Sequence, residues 1–321
     1  MKHIFIVNPH AGPTSCEAFV RQSVQPYTDR YNIDIYVKQY VGDSYNTVRR
    51  YRDDNPGEEL RFYACGGDGT LREVAIACIG VDDVAFTSFA CGSGNDYVKY
   101  YGGPDNFRDI GRLLEGTPVP IDMMHVRGNQ PGASCKNYDR DDDARTTWAM
   151  NATHFGLDSR VASIMTRIRR VPLIGKKAAY PTGVLVGFLT AMRNRCTVYA
   201  DGVQLNTGKI LLCTACNGSH VGGSYHCAPR SQNDDGLLEV CLVRPLFPRV
   251  RFLGLMNIYK RGEHLDDPRI SKHITYCRAT TLTIDGPKGF YISLDGEIFH
   301  STHTEVVNHR HAVQFIKPKE R

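Results

Sequence analysis

The sequence predicts an α/β domain built on a parallel sheet, followed by a mostly β domain. Three observations carry this reading. The chain is 321 residues long with 41% hydrophobic residues, enough to bury two cores rather than one. Strand-like apolar runs alternate with helix-spaced segments as far as residue 122, the pattern of a parallel sheet covered on both faces. Beyond that point, short β-rich runs are separated by Gly, Asp and Asn turns.

Taken in order, HIFIVN is a short apolar run that stops at Pro9 and the turn-like PHAG. SCEAFVRQSVQPY then sets Cys16, Phe19, Val20 and Val24 at helical spacing. The same order recurs in IDIYVKQY with the polar helix SYNTVRRYRDD, in LRFYACGGDGT with TLREVAIACIG, and in DVAFTSFA before CGSGNDYVKYYG. In the second half, TTWAMNATHF, CTVYADG, GKILLCTACNG, LLEVCLV, TTLTIDG and FYISLDGEIF read as strands. One helical region is expected there, from Ser159 through PTGVLVGFLTAMRN, and the polar stretch 127–146 reads as a long loop. The domains expected are 1–122 and 123–310, with a last strand at about 311–321 returning to the first.

Composition narrows the function classes. No apolar run approaches the roughly 18 residues a bilayer span needs, and MKHIFIVNPHAG lacks the pattern of a signal peptide, so a cytoplasmic protein is expected. The eleven cysteines show no paired zinc spacing and read as reduced core residues. The C-x-x-C at Cys213 and Cys216 lies in a strand, where i and i+3 point to opposite faces, which argues against a shared metal. A net charge of +5 is too mild to argue for nucleic acid, and is compatible with an anionic lipid or a nucleotide. None of the 12 histidines is assigned to catalysis.

The chemistry concentrates in loops that leave the predicted strands. In GGDGT, Gly66, Gly67 and Gly69 remove side chains where the backbone turns sharply, so amides ahead of a helix can face anionic oxygens. Asp68 is compatible with phosphates there if it binds Mg²⁺ or a water on Mg²⁺, and the Thr70 hydroxyl offers a phosphate or cap contact. An ordinary tight turn is the other reading of these five residues. Asn8-Pro9-His10-Ala11-Gly12 and Gly92-Ser93-Gly94-Asn95-Asp96 occupy corresponding positions, and in a parallel sheet such loops gather on one edge. Three of them make a nucleotide cradle. Neither the Walker motif nor G-x-G-x-x-G occurs in these loops.

The ordered set VNPHAG, GGDGT, GSGND, NDDGLLEV and LDGEIF resembles the diacylglycerol kinase catalytic-domain family, and the match covers almost the whole chain. N-x-x-x-x-G-x-D at Asn151, Gly156 and Asp158, and G-G-x-x-x-x-A-P at Gly222, Gly223, Ala228 and Pro229, extend it. The resemblance implies an NAD kinase-like three-layer α/β domain and a C-terminal β-sandwich, with ATP in the cleft. It implies nucleotide contacts from Asn8 to Gly12 and from Gly66 through Leu71 and Arg72, completed by Ser93, Gly94, Asn95 and Asp96. Glu297 would be the general base, with Asp295 as a second acidic group beside Asp68. A structural Mg²⁺ site would use Asp235 with the carbonyls of Gln232 and Leu237. On residue patterns alone, the DGE segment is a hairpin turn with exposed acids, and NDDG a turn before a strand.

Two departures stand out: Lys38 where many members have Thr, and GSGND for the usual loop, which keeps a hydroxyl at Ser93 but loosens the loop at Gly94. The segment TRIRRVPLIGKKAAY offers Arg167, Arg169, Arg170, Lys176 and Lys177, either to an anionic membrane surface or as a solvated face. The expectation is an ATP- and Mg²⁺-dependent lipid kinase that visits the membrane surface transiently, phosphorylates diacylglycerol or a related lipid, and does not bind nucleic acid. A homodimer is compatible with it. The alternatives are a sphingoid-base or ceramide kinase, an NAD kinase-like enzyme, and a nucleotide-binding regulator.

Overall fold

The computed structural model describes residues 1–12, 15–129, 146–157, 159–161, 163, 192–246 and 251–320. The chain divides into one unit of Met1–Met123 with His309–Arg321 and another of Met124–Cys135 with Asp141–Asn308.

In the first unit, β1 (Lys2–Val7), β2 (Ile33–Val37), β3 (Leu60–Gly66) and β4 (Val84–Ala90) form a parallel sheet in the order β2-β1-β3-β4. The end of the chain's last strand, β16 (His303–Lys317), adds to it in parallel, with Gln314 beside Ala85 and Phe315 beside Phe86. Ile4 to Val7, Phe62 to Cys65, Phe86 and Phe89 are fully buried, which is why these strands read as continuous apolar runs and not as alternating ones. Phe5 stacks on Tyr63 at 4.2 Å. The helices α1 (Cys16–Val24), α2 (Asp43–Asp54) and α3 (Asp68–Ala77) follow β1, β2 and β3 respectively. Ser15 caps α1 by accepting from the Ala18 amide, and Cys16, Val20 and Val24 form its buried face.

The second unit is a β-sandwich. One sheet is antiparallel, in the order β12 (Ile274–Ala279), β11 (Leu238–Val243), β10 (Leu212–Cys216), β7 (Ala152–Gly156), β14 (Tyr291–Leu294), β15 (Glu297–His300). Opposite it lie β13 (Thr281–Asp285) and β8 (Thr197–Ala200), paired with the first part of β16, and the pair formed by the end of β5 (Thr117–Gly128) with β6 (Thr146–Ala149). Val126, Val198, Leu282 and Val306 from this side meet Phe155, Ala215, Val240 and Ile292 from the first sheet in one core. Cys213 belongs to that core, whereas Cys216 faces a different cluster and lies 3.8 Å from the Cys227 sulfur, so the C-x-x-C does point to opposite faces.

Two expectations need correction. TTWAMNATHF forms two strands broken at Met150 and Asn151, not one. The stretch after β11 contains a helix, α5 (Arg251–Arg261), in a region read as β apart from the segment beginning at Ser159; Gly254 within it weakens the helical signal. Most of the expected helix after Ser159, with its basic segment, and most of the 127–146 loop lie outside the described residues. No helix among the described residues is long and apolar enough to cross a membrane.

Candidate active site

The three glycine-bearing loops leave the carboxyl ends of β1, β3 and β4, and their backbones and side chains tie them together. Asn8 donates from Nδ2 to the Thr70 hydroxyl at 3.2 Å, and its Oδ1 accepts the His10 amide at 3.1 Å. Thr70 is therefore turned inward as a link between the first two loops. Cys91 and Gly92 both donate their amides to the Gly66 carbonyl, at 3.0 and 2.9 Å. A Cβ on Gly92 would collide with the Gly67 Cα and stand 2.8 Å from the Asn95 side chain. Only glycine lets the second and third loops approach this closely.

Gly67 precedes α3 in an extended conformation and provides no side-chain cap, while its carbonyl accepts the Thr70 and Leu71 amides at 3.0 and 3.1 Å, so the start of the helix carries no side chain that would fill the space ahead of it. That is the arrangement an anion requires at a helix N-terminus. Asp68 accepts the amides of Asp96 at 2.7 Å and Tyr97 at 3.3 Å through Oδ1, capping the short turn of helix that begins at Tyr97. Its Oδ2 points toward Gly94, where a Cβ would stand 3.0 Å away. Ser93 is exposed, Asn95 is buried with its Nδ2 donating to the Gly92 carbonyl at 2.7 Å, and Asp96 pairs with Lys99 at 2.5 Å. Leu71 and Arg72 are buried within α3. The loops thus bring together backbone amides and a hard carboxylate on Asp68, a donor set that fits a nucleotide with Mg²⁺, whereas the Asp96 carboxylate is paired with Lys99.

Beneath the loops sit thiols rather than thiolates. A hydrogen bond with Cys91, and then burial, push the Cys16 thiol up, and burial does the same for Cys65. These cysteines are packing residues and not nucleophiles. Lys38, the departure at the end of β2, donates to Glu73 of α3 at 2.8 Å in a pair that is 9% and 6% exposed. The other Glu73 oxygen accepts the Gly42 amide at 3.1 Å. Lys38 therefore holds α3 against the end of β2.

In the second unit, Asp295 and Gly296 form the two-residue turn between β14 and β15, with φ of 49° and 88°. Two successive positive φ values make this a hairpin turn of the Asp-Gly kind. The Asp295 carboxylate accepts three amides, from Met150 at 2.7 Å, Asn151 at 2.9 Å and Ala152 at 2.9 Å. Those bonds break the β6–β7 run. The Asn151 carbonyl in turn accepts from Asn217 and Gly218, both at 3.0 Å, and Asn217 donates to Asn308 at 2.9 Å. Asn217 is fully buried and was not singled out by sequence reasoning; the Asn-Gly after a strand was its only signal. Glu297 is half-buried at the start of β15.

The NDDGLLEV turn is occupied differently from the expectation. Asp235 Oδ1 accepts the Leu237 amide at 2.9 Å, and Arg278 on β12 forms an ion pair with its Oδ2. The same guanidinium reaches Gln232 Oε1 at 3.5 Å. The one carboxylate expected around Mg²⁺ is thus paired with a fixed cation of the chain, which makes a poor fit for a second, divalent one there; the Gln232 contact is through its side chain and not through the carbonyl expected as a ligand. Close by, Glu239 of β11 stands opposite Arg278 and is 2% exposed, with Arg230 as the group that favours its charged form. Desolvation raises its carboxyl to about 7.

Comparison with known proteins gives the same two-part division. The diacylglycerol kinase catalytic domain matches residues 2–126, and the YegS C-terminal NAD kinase beta sandwich-like domain matches 151–316. A Cronobacter sakazakii protein named "Probable lipid kinase YegS-like" is 25% identical, covering 96% of this chain and 94% of its own. The Bacillus subtilis (strain 168) protein named diacylglycerol kinase is 23% identical over 98% and 96% of the two chains. A crystal structure of a diacylglycerol kinase from Bacillus anthracis (strain Sterne) superposes with a TM-score of 0.68 at 16% identity, covering 98% of this chain and 96% of that one.

Proposed function

The chain belongs to the diacylglycerol kinase catalytic-domain family, and on that premise we propose that it is an ATP-dependent lipid kinase acting on diacylglycerol or a closely related lipid. The observation that carries this is the interlocked cradle of NPHAG, GGDGT and GSGND, where a Gly92–Gly67 approach brings the loops together ahead of α3 and the N-cap Gly67 offers no side chain to occupy the place of an anion. Magnesium–ATP supplies the γ-phosphoryl group and the neutralising charge. The chain's own part is positioning and proton transfer.

In this reading the amides ahead of α3 would hold the phosphates and Asp68 would hold the metal side of the nucleotide, with Asp96 beside it in its pair with Lys99. Glu297 takes the proton from the lipid hydroxyl as its oxygen forms the new bond to phosphorus and the bond to the ADP oxygen breaks. Asp295 acts as a positioning residue: with three amides on its two oxygens, it fixes the turn that presents Glu297. The lipid is reached at a membrane surface.

The test is transfer of label from γ-labelled ATP, in separate reactions with diacylglycerol, monoacylglycerol, sphingosine, ceramide and NAD. Product with diacylglycerol is expected. Labelling of sphingosine or ceramide alone would replace the substrate, and labelling of NAD alone would overturn the lipid kinase reading. Glu297→Gln should abolish transfer with ATP binding nearly intact; near-normal turnover would remove Glu297 as the base.

A further inference from the structure

We propose that Arg278 takes the place of a structural divalent cation in the Asp235 turn, so that the second unit of this protein is held without metal. The expected ligand set was one carboxylate, Asp235, with the backbone carbonyls of Gln232 and Leu237. The carboxylate is already committed at both oxygens, Oδ1 to the Leu237 amide and Oδ2 to the Arg278 guanidinium. The guanidinium also contacts the Gln232 side chain at 3.5 Å.

The chemistry suits a substitution of this kind. A structural Mg²⁺ at such a turn gathers oxygens and cancels the carboxylate charge, with water completing its shell. Guanidinium is permanently charged, carries five N–H donors in a planar fork, and is less strongly hydrated than a metal ion or an ammonium, so it can serve the same oxygens while half-buried. Arg278 reaches the turn from β12, which pairs with β11, the strand the turn leads into. It therefore links the turn to its own sheet as a bound ion would, and its charge repels an incoming divalent cation.

Among the described residues, no group of three or more His, Cys, Asp or Glu side chains is placed to share an ion.

The experiment compares the full-length wild type with Arg278→Ala, both free of nucleotide so that the outcome is independent of the kinase reading. Thermal unfolding is followed with chelator and with excess Mg²⁺, and Mn²⁺ retention is followed by electron paramagnetic resonance. The wild type should unfold at the same temperature in both conditions and retain no Mn²⁺. Arg278→Ala should unfold at a lower temperature in chelator, regain most of the loss in Mg²⁺, and retain about one Mn²⁺ per chain, as expected for a ligand that binds only the folded state. A wild-type unfolding temperature that falls in chelator, or stoichiometric Mn²⁺ on the wild type, overturns the proposal. So does an Arg278→Ala variant that ignores Mg²⁺. Should that variant not fold, the wild-type measurements decide alone, and Arg278→Lys, which keeps the charge but loses the fork, should remain indifferent to Mg²⁺.

Discussion

Replacing Glu239 with Gln should stabilise the second unit, and only above mildly acidic pH. Glu239 is 2% exposed, and burial, only partly offset by the Arg230 backbone and guanidinium, raises its carboxyl from the ordinary 4.5 to about 7. The folded chain thus keeps a proton that the unfolded chain has released. Across that interval the unfolded state binds fewer protons, so stability falls as pH rises, by 1.36 kcal/mol per pH unit, until the folded carboxyl ionises too. The full cost is about 3 kcal/mol, reached above pH ~7 and absent below pH ~4.5. Gln at this position resembles the neutral acid in size and polarity and has no charge to bury. The difference between Glu239→Gln and wild type should therefore be near zero at pH ~4 and about 3 kcal/mol in favour of the variant at pH ~8.

Urea unfolding across that range measures the difference directly. The single tryptophan, Trp148 on β6, lies in the same unit as Glu239, so its fluorescence reports the right transition. Parallel stability profiles for the two proteins would refute the reasoning. They would mean that Glu239 ionises in the fold at its ordinary pH, with partners or water that relieve its burial.

The remaining predictions follow from other buried groups. Lys38→Met should destabilise the first unit by about 3 kcal/mol, the cost of leaving a buried charge on Glu73 unpaired, and Lys38→Met with Glu73→Gln should recover most of it in denaturant unfolding. His264 is fully buried and its ring is lowered by burial to about 4, so stability held above pH ~6.5 is lost as pH falls toward 4, by about 3 kcal/mol; His264→Phe should flatten that acid limb in the same unfolding assay. Gly92→Ala forces the third loop away from Gly67, and calorimetry should show at least a tenfold loss of ATP affinity, whereas Gly69→Ala meets nothing within 4 Å and should fold as the wild type does.

What the sequence makes legible is what depends on local pattern. The central parallel strands are apolar at every position because both faces are covered, and their boundaries at Gly66 and Ala90 are marked by glycine loops. The interlocking of the loops was not legible, because it rests on backbone approach between Gly67 and Gly92, which leaves no pattern beyond glycine itself. The split of TTWAMNATHF was hidden for a related reason. Nothing in those residues disfavours one continuous strand; the break is imposed by Asp295, more than 140 residues later. Lys38–Glu73 and Arg278–Asp235 are likewise pairs separated by tens of residues, so each looked like a departure or a turn until its partner was placed.

The two signature aspartates share one device, and it separates two variants that look equivalent in the sequence. Each sits at a glycine turn and accepts amides from a distant loop: Asp68 through Oδ1 from Asp96 and Tyr97, and Asp295 through Oδ1 from Asn151 and Ala152 and through Oδ2 from Met150. Asparagine has one acceptor oxygen and one amide donor. At position 68 it can place its oxygen where Oδ1 stands and keep the Asp96 and Tyr97 amides. At position 295 both oxygens accept, so one amide N–H must face another N–H whichever way the side chain is turned. Asp295→Asn should therefore cost about 3 kcal/mol in urea unfolding, from a lost charge-assisted bond and a desolvated donor without an acceptor. Asp68→Asn, which keeps both of its amides, should cost less than that. In the transfer assay, Asp68→Asn should lower turnover in a folded protein, while Asp295→Asn should lose activity together with stability. Equal stability losses for the two would show that the oxygens of Asp68 are engaged on both sides, and that its role in the cradle is structural before it is electrostatic.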